Sequence, residues 1–147
     1  MPDVVSPEVR SRMMAGIRGK DTKPELLLRK ALHRDGFRYR LHARNLPGRP
    51  DMVFPRYKAA VFVHGCFWHG HEGCSYFKVP ATRREFWEAK FAANRERDAR
   101  RRLELEEAGW RTAVIWECAT RRCLAQTVRD VETWLVGEER RLNRAWE

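Results

Sequence analysis

Residues 61–74, VFVHGCFWHGHEGC, begin as an apolar β-type run and break into a loop at Gly65. Three of the chain's five histidines and two of its four cysteines fall between His64 and Cys74. Cys66, His71 and Cys74 give the spacing C-x4-H-x2-C, close enough for one loop to fold around a tetrahedral ion. Zn²⁺ prefers thiolate and imidazole ligands in that geometry. A closed structural site needs a fourth ligand. Cys118, predicted at the end of a strand, and Cys123 are the two candidates. An ion there would hold Phe67 to Glu72 in a shape their own hydrophobicity cannot specify. The alternative is a set of unmetallated thiols and solvent histidines. A catalytic zinc is disfavoured, because four protein ligands leave no open position.

The other elements follow from periodicity and punctuation. Ser6-Pro7 starts a short basic helix through Val9, Met13 and Ile17. Thr22 and Glu25 have capping-box spacing at the head of a second helix, which buries Leu27, Leu28, Ala31 and Leu32 and stops at Gly36. That spacing gives Glu25 a structural role before any catalytic one. Phe37 to His42 alternates as a half-buried strand. A loop from Asn45 to Pro50 leads to Asp51 and a short strand, Met52 to Phe54. A turn at Pro55 to Lys58 returns the chain as a third strand, Ala59 to Val63. Arg83 to Ala108 reads as a long helix stopped by Gly109. Its expected buried stripe is Phe86, Ala89 and Ala93. The neighbouring stripe of Trp87, Lys90 and Asn94 suits a ligand-facing side, and the charges beyond Arg95 suit a solvated face. Trp110 to Trp116 is a strand, Val128 to Val136 a last amphipathic helix, and the charged tail from Gly137 is expected to fray. Three clustered strands before a long crossover helix predict a central mixed sheet flanked by helices, an α/β fold.

Charge and chemistry point towards a polyanion. The first 50 residues hold 12 Lys/Arg against 5 Asp/Glu, so seven of the ten formal positive charges lie there. A basic surface of this kind suits a phosphate backbone. No run reaches the length of a membrane span and no signal-peptide core opens the chain, so a cytoplasmic protein is expected. If the strands after Asp51 and before His64 pair as a hairpin, the two residues meet at one sheet edge. A carboxylate there can hold Mg²⁺ against a phosphodiester, and neutral imidazoles beside it can move protons. Pro-Asp on such a hairpin is the pattern of restriction-endonuclease-like nucleases. Their usual acid-x-Lys is missing here, since the second strand reads Phe62-Val63-His64.

That departure, with four motifs, identifies a relative. Pro47-Gly48-Arg49-Pro50-Asp51, His64-Gly65-Cys66-Phe67-Trp68-His69, Phe77-Lys78-Val79-Pro80-Ala81-Thr82-Arg83 and Trp116-Glu117-Cys118 together resemble the very short patch repair (Vsr) endonucleases. The resemblance runs from about residue 6 to residue 137. It implies a restriction-endonuclease-like core with a structural zinc, preceded by a DNA-clamping helical arm (residues 1–20) and followed by a charged tail (residues 138–147), the endonuclease domain spanning 21–137. It also implies a bacterial, nucleoid-associated enzyme, acting as a monomer, that nicks double-stranded DNA on the 5′ side of the mispaired T in T·G mismatches left by 5-methylcytosine deamination. The product would carry a 5′-phosphate, and the enzyme would link to mismatch-repair factors, DNA polymerase and ligase.

By the same resemblance, Asp51 binds catalytic Mg²⁺, in a two-ion arrangement, together with the backbone carbonyl of Val63. His69 is the general base, and His64 and Glu25 support the surrounding waters. Cys66, His71, Cys74 and Cys118 bind the zinc. Phe67, Trp68 and Trp87 form a wedge entering from the major groove, with Lys90 and Asn94 beside it, while Met14 intercalates from the minor-groove side. Aromatics filling an opened step recover stacking of roughly 1–3 kcal/mol per base. Two other readings are a restriction-like nuclease with a different target and a zinc-stabilised DNA-binding module without catalysis.

Overall fold

The structure, a computed structural model, describes residues 22–146. The predicted helix from Ser6, with Met13 and Met14, lies outside the described residues. The elements run α1 (Lys23–Arg34), β1 (Arg40–Leu41), β2 (Met52–Phe54), a 3₁₀ turn (Pro55–Tyr57), β3 (Ala59–His64), α2 (Arg84–Glu107), β4 (Arg111–Trp116), α3 (Glu117–Arg122), α4 (Leu124–Val136) and β5 (Arg141–Arg144). One five-stranded sheet has the order β1-β2-β3-β4-β5. The first three strands form an antiparallel meander, and β4 and β5 add in parallel. The expected mixed sheet flanked by helices is therefore present. Among the described residues, no helix is long and apolar enough to cross a membrane.

Central strand β3 reads AAVFVH, a near-continuous apolar run of the kind needed where both sheet faces are covered. Its side chains alternate between two cores. Ala59 and Val61 join Met52, Phe54, Ala113 and Ile115 under α1 and α4, against Leu28, Leu32, Val131 and Leu135. Ala60 and Phe62 join Val114 and Leu105 under α2. Each fully buried Leu, Ile or Phe contributes about 1.5–3 kcal/mol of transfer free energy. The core therefore fixes β3 firmly, and the loop that leaves its C-terminal end inherits that anchor.

Several expectations need correction. Only Arg40 and Leu41 of the first predicted strand pair with β2, because His42 turns to φ 48° and ends the extended run. Thr22 makes no side-chain cap bond, and Glu25, 1% exposed, turns inward instead of capping α1. The stripe Phe86, Ala89 and Ala93 on α2 is exposed, whereas Phe91 and Leu105 are buried. That helix seats itself largely through polar side chains that grip loop carbonyls, a pattern hydrophobic periodicity does not register. Cys118 lies in the first turn of α3 and not at a strand end, and the last helix starts at Leu124. The tail is not frayed throughout. Arg141–Arg144 forms β5, held by a bidentate ion pair from Arg141 to Glu106 and by Arg144 Nε to Asp130 Oδ2 at 2.7 Å. Arg111 also donates to the Trp134, Leu135 and Glu139 carbonyls, which ties the end of α4 to the sheet.

Candidate active site and metal centre

The loop after β3 is shaped from both sides. Internal turns run from His69 N to the Gly65 carbonyl, Gly70 N to Phe67 and His71 N to Cys66. Three α2 side chains then grip its outer edge. Asn94 Nδ2 donates to the Trp68 carbonyl at 2.8 Å, Arg95 Nε to the Gly70 carbonyl at 2.7 Å, and Asp98 Oδ2 meets His69 Nδ1 at 2.6 Å. Gly70 sits at φ 60°, with the Arg95 guanidinium packed where a side chain would project. From β4's end, Glu117 Oε1 accepts a hydrogen bond from Cys66 N at 3.2 Å.

Cys66, His71, Cys74 and Cys118 converge, with one ligand atom from each inside a mutual span of 4.8 Å. Cys118 N donates to Cys66 Sγ at 3.3 Å, Trp146 N donates to Cys118 Sγ at 3.3 Å, and Cys118 Sγ lies 3.7 Å from His71 Nδ1. His71 stacks on Trp116 with ring centroids 4.0 Å apart. Burial pushes the Cys66 and Cys118 thiols above their ordinary range, and neighbouring cysteines add to this. Sulfurs this close ionise together only around a cation, and backbone N–H groups already point at two of them. The donor set fits a tetrahedral metal. Cys123 is not in the cluster; its Sγ faces Thr127 Oγ1 and Arg144.

Two further clusters attach to the same end of β3. In the first, Asp51 Oδ2 accepts from Val63 N at 2.6 Å, which locks the carboxylate to the sheet edge. Glu25 and His42 complete it, with His42 Nε2 2.5 Å from Glu25 Oε1. Arg29 Nη1 stands 3.7 Å from the same Glu25 oxygen. Burial pushes the Asp51 carboxyl up to about 7; the Val63 hydrogen bond works against this, and the Glu25 charge adds to it. A buried carboxylate beside another is costly without a cation, so this donor set also fits a divalent metal.

The second cluster is His64, His69 and Asp98. The two imidazoles stack face to face, centroids 3.8 Å apart and 1° from parallel. Burial, then the adjacent His69, pulls His64 down to about 3, so its ring stays neutral at working pH. Its Nδ1 is buried without a hydrogen-bond partner among the described residues. Burial acts against the Asp98 carboxylate, but the His69 hydrogen bond and nearby positive charge outweigh it and hold the group below its ordinary range. A carboxylate only accepts, so His69 donates from Nδ1. In the neutral ring Nε2 is then left as the acceptor.

Phe67, Trp68 and Trp87 form one half-buried aromatic group. Phe67 lies 5.1 Å from Trp68 and 5.8 Å from Trp87, and Phe91 supports Phe67 and Trp87 from beneath at 5.2 and 5.7 Å. Lys90 is half-buried on the same helix.

Sequence reasoning missed His42, Asp98 and Glu117. His42 is hidden in an alternating strand, and Asp98 lies in a run of mixed charge that resembles a solvated face. Spacing along α2 offered one signal: Trp87, Phe91, Asn94 and Asp98 recur at intervals of four, three and four, one helix face. Met14 lies outside the described residues.

Comparison with known proteins places these residues in context. The family model for DNA mismatch endonuclease Vsr matches residues 2–75. A type II nicking enzyme from Xanthomonas oryzae, V.XorIIP, is 49% identical over 118 residues, covering 80% of this chain and 86% of its own. DNA mismatch endonuclease Vsr of Escherichia coli is 44% identical over 142 residues, covering 94% of this chain and 90% of its own. V.NmeAIP, a type II nicking enzyme of Neisseria meningitidis, is 44% identical over 118 residues, covering 80% and 84%.

Proposed function

Because this chain belongs to the DNA mismatch endonuclease Vsr family, and so is an endonuclease whose substrate is DNA, we propose that it nicks duplex DNA on the 5′ side of the mispaired T in T·G mismatches arising from 5-methylcytosine deamination. The observation that carries this reading is the convergence at one end of β3. A carboxylate locked by Val63, a carboxylate-oriented histidine and a half-buried aromatic group all attach there. The test maps nicks in end-labelled T·G duplexes. The expected product is one break, in the T strand, with a 5′-phosphate on the downstream fragment.

The core is then restriction-endonuclease-like, with Asp51 and the Val63 carbonyl holding Mg²⁺, in a two-ion arrangement, and Glu25 alongside. When bound, the ion supplies Lewis-acid activation of the phosphodiester. His69 Nε2 takes the proton from the attacking water, and Asp98 holds the tautomer that leaves this nitrogen free. Neutral His64 packs against His69 and fixes its plane. His69 Nδ1–H has no acceptor of equal strength once Asp98 is gone. We therefore expect Asp98→Asn to lower turnover about 10²- to 10⁴-fold, while duplex binding changes little. Single-turnover rates beside binding titrations check this.

Phe67, Trp68 and Trp87 serve as the wedge, beside Lys90 and Asn94. The Asn94 amide also fixes the Trp68 backbone. Opening a base step costs a few kcal/mol, and less at a mispair, so a wedge converts weak pairing into selectivity. Trp68→Ala should cost about 1–3 kcal/mol of T·G binding and leave matched-duplex binding nearly unchanged. Competition titrations with both duplexes measure that difference. The zinc is structural and shapes this loop. The N-terminal arm, with Met14, would reach the minor groove. We further read the enzyme as a monomer that hands its nick to polymerase and ligase and works alongside mismatch-repair factors.

A further inference from the structure

We propose that His42 is a direct nitrogen ligand of the catalytic cation, which makes this a mixed carboxylate–imidazole site that takes Mn²⁺ in preference to Mg²⁺. The inference rests on the reading that Asp51 holds that ion.

The ligand atoms of Glu25, His42 and Asp51 lie within 4.8 Å of one another. An octahedral ion with bonds of about 2.1 Å sets neighbouring donors roughly 3 Å apart and opposite donors roughly 4 Å apart. Their 4.8 Å span is slightly wider than one such sphere, so the three donors need to draw in by no more than about 1 Å to share an ion. They come from three segments: the first turn of α1, the residue after β1 and the residue before β2.

The His42 backbone is built for this position. It adopts φ 48°, a left-handed conformation uncommon outside glycine, which histidine tolerates better than most side chains. Its N–H is tied to the Asp51 carbonyl at 3.1 Å, so this residue and the metal-binding acid move as one unit. The ring's Nε2 shares a hydrogen bond with Glu25 Oε1 at 2.5 Å, a contact whose proton a bound cation would displace. Glu25 is 1% exposed, so the imidazole meets it inside the protein.

Ligand type then sets metal preference. Carboxylates and carbonyls alone suit Mg²⁺, which binds oxygen and gives up water reluctantly. An imidazole in the sphere favours ions further along the Irving–Williams order, of which Mn²⁺ is the first that oxygen ligands also suit.

The test uses the full, zinc-loaded chain titrated with Mn²⁺ and followed by pulsed electron paramagnetic resonance. Wild type should show one directly bound histidine nitrogen. In His42→Gln that coupling should vanish, with Mn²⁺ affinity falling about tenfold or more and Mg²⁺ affinity changing less than about threefold. In His69→Gln the coupling should persist. Absence of the nitrogen in wild type, or its survival in His42→Gln, overturns the inference, and the wild-type spectrum decides even where a variant folds poorly. Asp51→Asn separates the two layers. If it abolishes Mn²⁺ binding while wild type shows no nitrogen, only the role of His42 fails. If Mn²⁺ binding ignores Asp51→Asn, the placement of the ion fails, and the inference with it.

Discussion

Replacing Asp51 with Asn is expected to abolish nicking, by about 10³-fold or more, while making the metal-free protein more stable at neutral and alkaline pH. The first effect follows from removing the carboxylate proposed to hold the ion, since Lewis-acid stabilisation of a phosphoryl transition state is worth several kcal/mol. The second follows from the Asp51 carboxyl itself. Its folded pKa is raised to about 7, above an ordinary value of 3.8, by burial first and by Glu25. A raised acid contributes its full share of stability below about pH 4 and loses it as pH rises through 7. Wild type should therefore lose up to about 4 kcal/mol between those limits relative to Asp51→Asn. Saturating divalent metal should reverse the gap, because only wild type binds it. Melting curves at pH 5 and pH 8, with and without metal, read both signs. A variant that is inactive and also less stable at pH 8 would argue for a merely structural aspartate.

The second large effect is expected at the cysteine cluster. Cys118→Ser should remove the zinc, lower stability by several kcal/mol (about 3–5), and abolish T·G binding and nicking together. Cys123→Ser should leave zinc stoichiometry at one per chain. The coupling of recognition to cleavage has a geometric origin. Residues 66–71 carry proposed zinc ligands at both ends, and Phe67, Trp68 and His69 lie between them. Removing the ion would release one side of a loop that Asn94, Arg95 and Asp98 hold from the other, and would loosen the aromatic group and the histidine together. Zinc analysis with binding and nicking assays on the same preparations tests this. If mismatch binding survives in a zinc-free protein, the loop does not depend on its metal.

Much of this was legible in the sequence because the informative residues are local. The spacing of Cys66, His71 and Cys74 announces a cluster able to hold a metal, and the three do converge with Cys118; the apolar run into His64 announces a central strand. Asp51 and His64 were expected at one sheet edge. Asp51 is in fact hydrogen-bonded to Val63, the residue before His64. What stayed hidden depends on contacts that span the chain. Asp98 lies 29 residues from His69 and is surrounded by arginines, so only the docking of α2 shows that it is turned inward. Glu25 has the spacing of a capping residue, yet its carboxylate is buried against a histidine 17 positions away. His42 meets Glu25 from a backbone at positive φ, which the alternation of its strand does not signal. The tail reads as solvated charge, but two of its arginines find Glu106 and Asp130 and so hold a parallel edge strand.

Mismatch-directed nicking by the intact chain is most directly tested with two otherwise identical duplexes, one T·G and one T·A, each labelled on both strands and incubated with Mg²⁺. A single break is expected on the 5′ side of the mispaired T, in that strand only. It should form about 100-fold faster or more than any cut in the T·A duplex, as an opening cost of a few kcal/mol requires. Equal cutting of the two duplexes, or cleavage of both strands, would contradict mismatch-directed nicking.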